Sequence, residues 1–190
     1  IKILKNIDAS DREARLLAKV RSRFVVQVEH VGRTKDKRLY LVLEWIDGKS
    51  LREHIDPMQP LAEELVVEWM IQCCRGMEAL EDLGIIHRDL KPANIMIGRY
   101  NQIYVMDWGI ARVLPTAPGE PGYFGGLPEV PGTVAGTPHY MSPEQARGDT
   151  HLVDARSDVY SLGIVQLTSK VAGRMKYTLF LPHLGSNDLI

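Results

Sequence analysis

The sequence predicts an α+β fold, with short strands gathered near the start of the chain and helices becoming dominant later. Three features carry that reading. Residues 24–31 and 38–46 are rich in Val, Leu and Tyr and are separated by the polar run Arg33-Thr34-Lys35-Asp36-Lys37, the pattern of a β-hairpin. From Leu61 to Leu83 the apolar residues Leu61, Leu65, Trp69, Cys73, Met77 and Leu80 recur at the spacing of one helix face. Short strand-like runs then follow at Ile85-Ile86, Asn94 to Ile97 and Ile103 to Met106.

Taken in order, Ile1 to Leu4 is a short strand. Asp8 to Val20 is a helix capped by Asp8 or Ser10, whose side-chain oxygens can accept from the unpaired N–H groups of a first turn. The hairpin comes next, and the long helix after it. Gly84 is placed to end that helix, because a residue without Cβ takes the left-handed conformation common just past a helix terminus. Pro115 to Pro138 breaks with everything before it. Of its 24 residues 12 are Gly or Pro, 6 of each, so the segment is expected to be a mobile loop without a packed element. A last helix begins near Asp158, and there is no internal repeat.

Composition narrows the function classes. With 190 residues and 45% hydrophobic content the chain can bury a real core, and 25% charge is ordinary for a soluble protein. A formal net charge of -1 gives no electrostatic reason to expect nucleic acid or an anionic membrane as a partner. No apolar stretch reaches the roughly 18 residues needed to span a bilayer, and the start does not read as a signal peptide. Cys73 and Cys74 are neighbours within a helical pattern and point in different directions, so they read as two reduced thiols and not as a disulfide or metal site. Together these features lead us to expect a cytoplasmic setting. The first residue is Ile1 and not Met, so the chain is not expected to start at a natural beginning.

The chemistry gathers beside the Gly- and Pro-rich loop. His87-Arg88-Asp89-Leu90-Lys91-Pro92-Ala93-Asn94 lies between two strands, and Asp107-Trp108-Gly109 ends the next, with Asp107 18 residues after Asp89. A hairpin from Asn94 to Asp107 brings the chain back to Asp89. Asn94 and Asp107, two oxygen ligands suited to Mg²⁺, then flank a third carboxylate free to face a hydroxyl. Phosphoryl transfer asks for such a set, because the protein must neutralise phosphate charge, align the nucleophile and take up its proton. Read singly, the pieces are dull: Asp107-Trp108-Gly109 is a turn, Asp89 caps a turn and Asn94 sits in a loop. Chance would have to supply both the eight-residue string and its downstream partner at a workable spacing.

These residues are followed by Gly136-Thr137-Pro138-His139-Tyr140-Met141-Ser142-Pro143-Glu144 and by Ser157-Asp158-Val159-Tyr160-Ser161-Leu162-Gly163. The whole set resembles the eukaryotic-type protein kinase family, and most of all its bacterial Ser/Thr members, where Asp-Trp-Gly often stands for Asp-Phe-Gly. The resemblance covers about Phe24 to Gly163, with four motifs in the right order. It implies a partial protein-kinase-like two-lobe fold. Residues 1–46 would form a small β-rich lobe lacking its first strands. Residues 47–174 would form a mainly helical lobe truncated after its first buried helix, and 175–190 a tail without likeness to the family.

The same resemblance implies transfer of the ATP γ-phosphate, with Mg²⁺, to Ser or Thr hydroxyls of protein substrates. Asp89 would be the catalytic base. Lys91 would contact the transferring phosphate and marks Ser/Thr over Tyr specificity. Asn94 and Asp107 would hold Mg²⁺. Thr137 would hydrogen-bond near Asp89 in the substrate-docking segment, and Asp158 would hold the backbone of the catalytic loop. Glu144 would pair with an arginine from a later helix of the family. Leu43 would guard the back of the adenine pocket, with Glu44-Trp45-Ile46 as the hinge and Met96 among the nucleotide-contacting residues. Lys2 would be the ATP-contacting lysine and Glu13 its ion-pair partner. The 11 positions from Lys2 to Glu13 are fewer than is usual in the family, whereas the spacing from Glu13 to Phe24 and Val28 fits without a gap. His87, Trp108, Leu17 and Val28 would stack as an internal spine. Plain strand, surface lysine and ordinary core are the competing readings of the hinge, Lys2 and the spine.

Regulation is expected in the same loop. Arg88 beside the base implies a loop organised by phosphate, and Arg112 is placed to help through paired hydrogen bonds. Among the hydroxyls Thr116, Tyr123, Thr133 and Thr137, Thr133 is the expected activating site, phosphorylated in trans within a transient homodimer. The bland alternative is a loop that is only long. The departures from the family matter too. No glycine-rich loop precedes Lys2, which would leave Ile1 to Leu4 as an unprotected edge. Gln166-Leu167-Thr168-Ser169-Lys170 is expected to interrupt a buried helix, and beyond about Met175 nothing resembles the family. Truncation or a frame change is expected here over a divergent ending, and the chain by itself is expected to be marginally stable and weakly active. Two other classes compete: a pseudokinase or ATP-binding scaffold, and a small-molecule phosphotransferase. Asp89, Asn94 and Asp107 together weigh against the first, and Lys91 with the segment Gly136 to Glu144 against the second.

Overall fold

The computed structural model describes residues 2–3, 18–36, 39–56, 58–107, 111–114, 123–124, 127–128 and 130–170. The predicted positions Glu13, Leu17 and Trp108, most of the predicted helix from Asp8, and the tail 175–190 lie outside them.

The first sheet is antiparallel. Strands β1 (Lys2–Ile3), β2 (Val28–Arg33) and β3 (Leu39–Leu43) lie in the order β1-β3-β2, with Lys2 opposite Leu41 and Val31 opposite Leu41 on its other side. The first strand of the hairpin thus sits later in the chain than the sequence suggests, and Arg33 belongs to it, opposite Leu39. The cause lies in Phe24-Val25-Val26. Three successive apolar side chains cannot all face the buried side of a hairpin whose residues alternate. All three are buried instead in a seam, where Val25 bridges Val105 in parallel, Val26 N donates to Val105 O and Val105 N donates to Phe24 O.

Helix α1 (Leu51–His54) follows β4 (Lys49–Ser50), and the long helix α2 (Glu63–Glu81) buries Val66, Trp69, Met70, Cys73, Gly76 and Leu80 along one stripe. Leu61, Leu65 and Met77, also predicted for that face, pack at its margin. Gly84 N donates to Glu81 O, and Gly84 itself has φ of 66°, the left-handed conformation expected past a helix end. The thiol of Cys73 is free and buried, which pushes its pKa up, and that of Cys74 is free and exposed. No helix among the described residues is long and apolar enough to cross a membrane.

Beyond α2 lie β5 (Ile85–Ile86) and the hairpin of β6 (Ile95–Ile97) and β7 (Ile103–Val105), which with β4 forms a sheet ordered β4-β6-β7. The Gly- and Pro-rich stretch is not devoid of paired structure. Strands β8 (Arg112–Val113), β9 (Tyr123–Phe124) and β10 (Leu127–Pro128) extend β5 into a sheet ordered β10-β9-β8-β5. Tyr123-Phe124 and Leu127 are apolar islands on either side of Gly125-Gly126, and long-range pairing with β8 supplies what local sequence does not.

Helices α3 (Pro143–Arg147) and α4 (Ala155–Lys170) complete the described chain, and α4 packs on α2. The polar run at 166–170 does not interrupt α4. Thr168 Oγ1 donates to Ile164 O and Ser169 Oγ to Val165 O, so the hydroxyls are satisfied within the helix that carries them.

Candidate active site

The site forms where β5 and the β6–β7 hairpin leave the core. His87, fully buried, donates from Nε2 to Met106 O at 3.0 Å, and its Nδ1 accepts from Asp89 N at 3.3 Å. A carbonyl can only accept, so this pair of bonds sets the tautomer. Arg88 follows with φ of 67°, a left-handed conformation that is costly for a residue with a side chain. Asp158 holds this turn from the first turn of α4. Its Oδ2 accepts from His87 N and its Oδ1 from Arg88 N, both at 2.8 Å. Burial pushes the Asp158 carboxyl above its ordinary range, against the pull of His87 and of the two N–H donors.

Asp89 then projects into a cluster of donors. Its Oδ1 accepts from Thr137 Oγ1 at 2.6 Å, and its Oδ2 from Lys91 Nζ at 2.7 Å and Asn94 Nδ2 at 3.2 Å. Lys91 Nζ also donates to Thr137 Oγ1 at 2.7 Å. Asn94 ends a 3₁₀ turn, Pro92–Asn94, and its Nδ2 donates to Asp89 O at 2.8 Å as well. Both of these Asn94 side-chain bonds run through nitrogen, so its Oδ1 takes part in neither. Met106 N donates to Asn94 O at 2.9 Å, which sets Asp107 beside Asn94 at the end of the hairpin, with φ of 72°. One neutral and one anionic oxygen donor at this point fit a hard cation such as Mg²⁺. Four predicted residues, Asp89, Lys91, Asn94 and Thr137, are therefore in direct contact, with Asp107 next to them along the backbone.

A sequence model of the protein kinase domain matches residues 2–178. The chain belongs to the protein kinase family. Its fold is a kinase domain in part, with a β-rich region and helices. Among similar proteins are serine/threonine-protein kinase PknB of Mycolicibacterium smegmatis, 41% identical over 81% of this chain, and PknB of Mycobacterium tuberculosis, 44% identical over 66%. Serine/threonine-protein kinase pkn2 of Myxococcus xanthus is 40% identical over 90% of the chain. The chain spans 24%, 19% and 20% of the lengths of these three relatives.

The other predicted positions of this kinase domain are placed as follows. Leu43, Glu44 and Ile46 are half-buried where β3 runs out, while Trp45 is 91% exposed. Glu44 is tied back to the first sheet, its N donating to Gln27 O and its Oε1 accepting from Gln27 N at 2.6 Å. Met96 is half-buried in β6, opposite Ser50 on one side and Tyr104 on the other. Lys2 pairs through its backbone in β1. Val28 is buried at the start of β2. Thr133 is half-buried, and its N donates to Val130 O. Arg88 and Arg112 are both buried, and Arg112 Nη1 donates to Thr150 O at 2.6 Å and to Val153 O at 3.2 Å. Glu144 accepts from Ser157 Oγ at 2.5 Å. Burial raises the Glu144 carboxyl, but hydrogen bonds from Ser157 and Ser142 outweigh it and leave the group below its ordinary value.

One residue escaped the sequence reading. Gln145, buried in α3, donates from Nε2 to Arg88 O at 2.9 Å and to Ala135 O at 3.3 Å. The available signal was Ser142-Pro143-Glu144-Gln145, a Ser followed three positions later by Gln, which is the pattern of a capping box. That pattern foretells a helix start and nothing about a reach into the catalytic loop.

Proposed function

We propose that this chain is the catalytic core of a Ser/Thr protein kinase, which transfers the γ-phosphate of ATP to Ser or Thr hydroxyls of protein substrates. The observation that carries the proposal is the Asp89 carboxylate, held at once by Thr137, Lys91 and Asn94. A carboxylate offers about four lone-pair sites, and these three donors use three of them, leaving one for an incoming hydroxyl. The acceptor oxygen forms its bond to the γ-phosphorus as the bond from that phosphorus to the bridging oxygen of ADP breaks, and the hydroxyl proton passes to Asp89. Lys91, whose ammonium bonds both Asp89 and Thr137, would contact the transferring phosphoryl group. Asn94 Oδ1 and the Asp107 carboxylate would hold Mg²⁺, which supplies neutralisation of phosphate charge. Leu43, Glu44, Ile46 and Met96 would line the nucleotide site, with Lys2 contacting phosphate from the small lobe and Glu13 as its ion-pair partner.

Residues 1–46 are assigned to that small lobe and 47–174 to the larger one. Protein acceptors are favoured over small molecules because Thr137 belongs to the segment before α3 and touches Asp89 directly, which links the base to a surface suited to a peptide. Activation through Thr133 by a second copy, in a transient homodimer in the cytoplasm, completes the proposal. The deciding experiment is transfer from labelled ATP with Mg²⁺ by the full-length protein, beside an Asp89→Asn variant. Label on Ser and Thr that falls by ~10²–10⁴ in rate in the variant is the expected result. Nucleotide binding without transfer in either protein would make it a pseudokinase.

A further inference from the structure

Gln145 has no part in the chemistry just described, yet it is 2% exposed and both polar atoms of its side chain are engaged. Its Oε1 accepts from Ser142 N at 3.2 Å, which is helix capping. Capping alone leaves the amide nitrogen without a task. That nitrogen instead reaches Arg88 O, 57 residues away in sequence, and Ala135 O, 10 residues away.

The two acceptors are telling. Arg88 O belongs to the peptide unit that carries the N–H of Asp89, and the φ of 67° at Arg88 turns that unit out of ordinary geometry. The N–H side is held by a long 3.3 Å bond to His87 Nδ1. The carbonyl side is held by Gln145. Gly136 passes so close that a Cβ there would lie 2.9 Å from Arg88 O, so the docking segment and the catalytic loop touch at this carbonyl. Two positions beyond Ala135, Thr137 donates to Asp89 Oδ1.

We propose that Gln145 is a positioning residue that fixes the register between the docking segment, residues 135–142, and the peptide carrying Asp89. Its amide nitrogen ties Arg88 O to Ala135 O, so the carboxylate and the surface that presents the acceptor hydroxyl move as one piece. The inference rests on Asp89 being the base of the proposed reaction.

The test uses the full-length protein with two variants. Gln145→Met keeps length and removes both donors, and Gln145→Glu keeps the acceptor for Ser142 while removing the donors. Both are expected to lower kcat for a protein substrate about 10- to 100-fold per folded molecule, with KM for ATP within about twofold of the parent. Val66→Ala, a cavity in α2 at a residue that bonds none of the site's polar groups, serves as the stability control: it lowers the unfolding midpoint and leaves kcat per folded molecule unchanged. Unchanged kcat in either Gln145 variant overturns the inference, as does a loss of kcat that tracks a loss of ATP affinity. If Gln145→Met does not fold, Gln145→Glu alone decides. Absence of transfer in the parent protein would instead defeat the proposed function, and with it this inference.

Discussion

Thr137 stands between the two charged groups of the site, accepting from Lys91 Nζ and donating to Asp89 Oδ1 through one hydroxyl. Replacing it with Val keeps the shape and removes both bonds, leaving Lys91 and Asn94 to hold the Asp89 carboxylate from its Oδ2 side. Thr137→Val is therefore expected to lower kcat by about 10- to 100-fold while nucleotide affinity stays constant. Thr137→Ser, which restores the hydroxyl, should recover most of the rate. Steady-state kinetics beside nucleotide titration would settle it, and a Ser variant no better than Val would count against the hydroxyl. Its neighbour Gly136 is a separate case. With φ of 132° and a prospective Cβ 2.9 Å from Arg88 O, it has neither the conformation nor the room for a side chain. Gly136→Ala should cost about 1–3 kcal/mol of stability through backbone strain and push the docking segment away from Asp89. Denaturant unfolding reads the first effect and transfer to a protein substrate the second.

The segment from α3 into α4 carries the charge-dependent part of the structure. Glu144 lies below its ordinary value of 4.5 because hydrogen bonds from Ser157 and Ser142 overcome burial. Asp154 lies below its ordinary 3.8, chiefly through hydrogen bonds from Arg156. For both groups the unfolded chain binds more protons than the folded one, so their contribution is complete above those values and is lost as pH falls through the lowered ones. Asp158 acts in the opposite sense, since burial raises it and its protonation favours the fold. The expected outcome is local: as pH falls below about 4.5, amides of α3 lose exchange protection relative to those of α2. Equal loss in both helices would show that these hydrogen bonds do not govern α3. The same segment marks where sequence reading succeeds and where it stops. α2 was legible because its apolar stripe is local and repeats over five turns of helix. Asp89, Lys91, Asn94 and Thr137 were legible as a group because their motifs are short and ordered, although Thr137 lies 48 residues from the carboxylate it touches. β9 and β10 were not, because β9 pairs with β8 across the Gly- and Pro-rich stretch and β10 joins the sheet through β9. Gln145 was missed for a similar reason: its amide reaches a backbone carbonyl 57 residues away.

Taken whole, the described chain has one apolar core in place of two. Val20, Phe24, Val25, Val26, Val28 and Leu41, which back the first sheet, belong to the same buried cluster as Trp69, Leu80, Ile95 and Val105 beneath the site. The joint is the seam at residues 24–26, where Val25 is fully buried against Val105 and Gly76 of α2 packs under Phe24. Val105 in turn pairs with Ile95, the residue after Asn94, so the seam that secures the first sheet also backs the proposed metal ligands. A core shared in this way makes the two regions unfold together, since exposing either face strips the other of its partner. Amides of β2, β3 and α2 should therefore exchange through a common opening with the same denaturant dependence. Val25→Ala should lower that shared free energy by about 1–3 kcal/mol, because it opens a cavity where no side chain can relax into solvent. Hydrogen exchange across a urea series is the measurement. If β2 and β3 opened at lower free energy than α2 in the parent, or if Val25→Ala weakened the first sheet alone, the seam would be a contact between two independent units. The geometry of Asp89 would then survive loss of the sheet. With a shared core, the loss of Val25 packing lowers the folded fraction of both regions together, and total transfer activity should fall in step with the protection of α2.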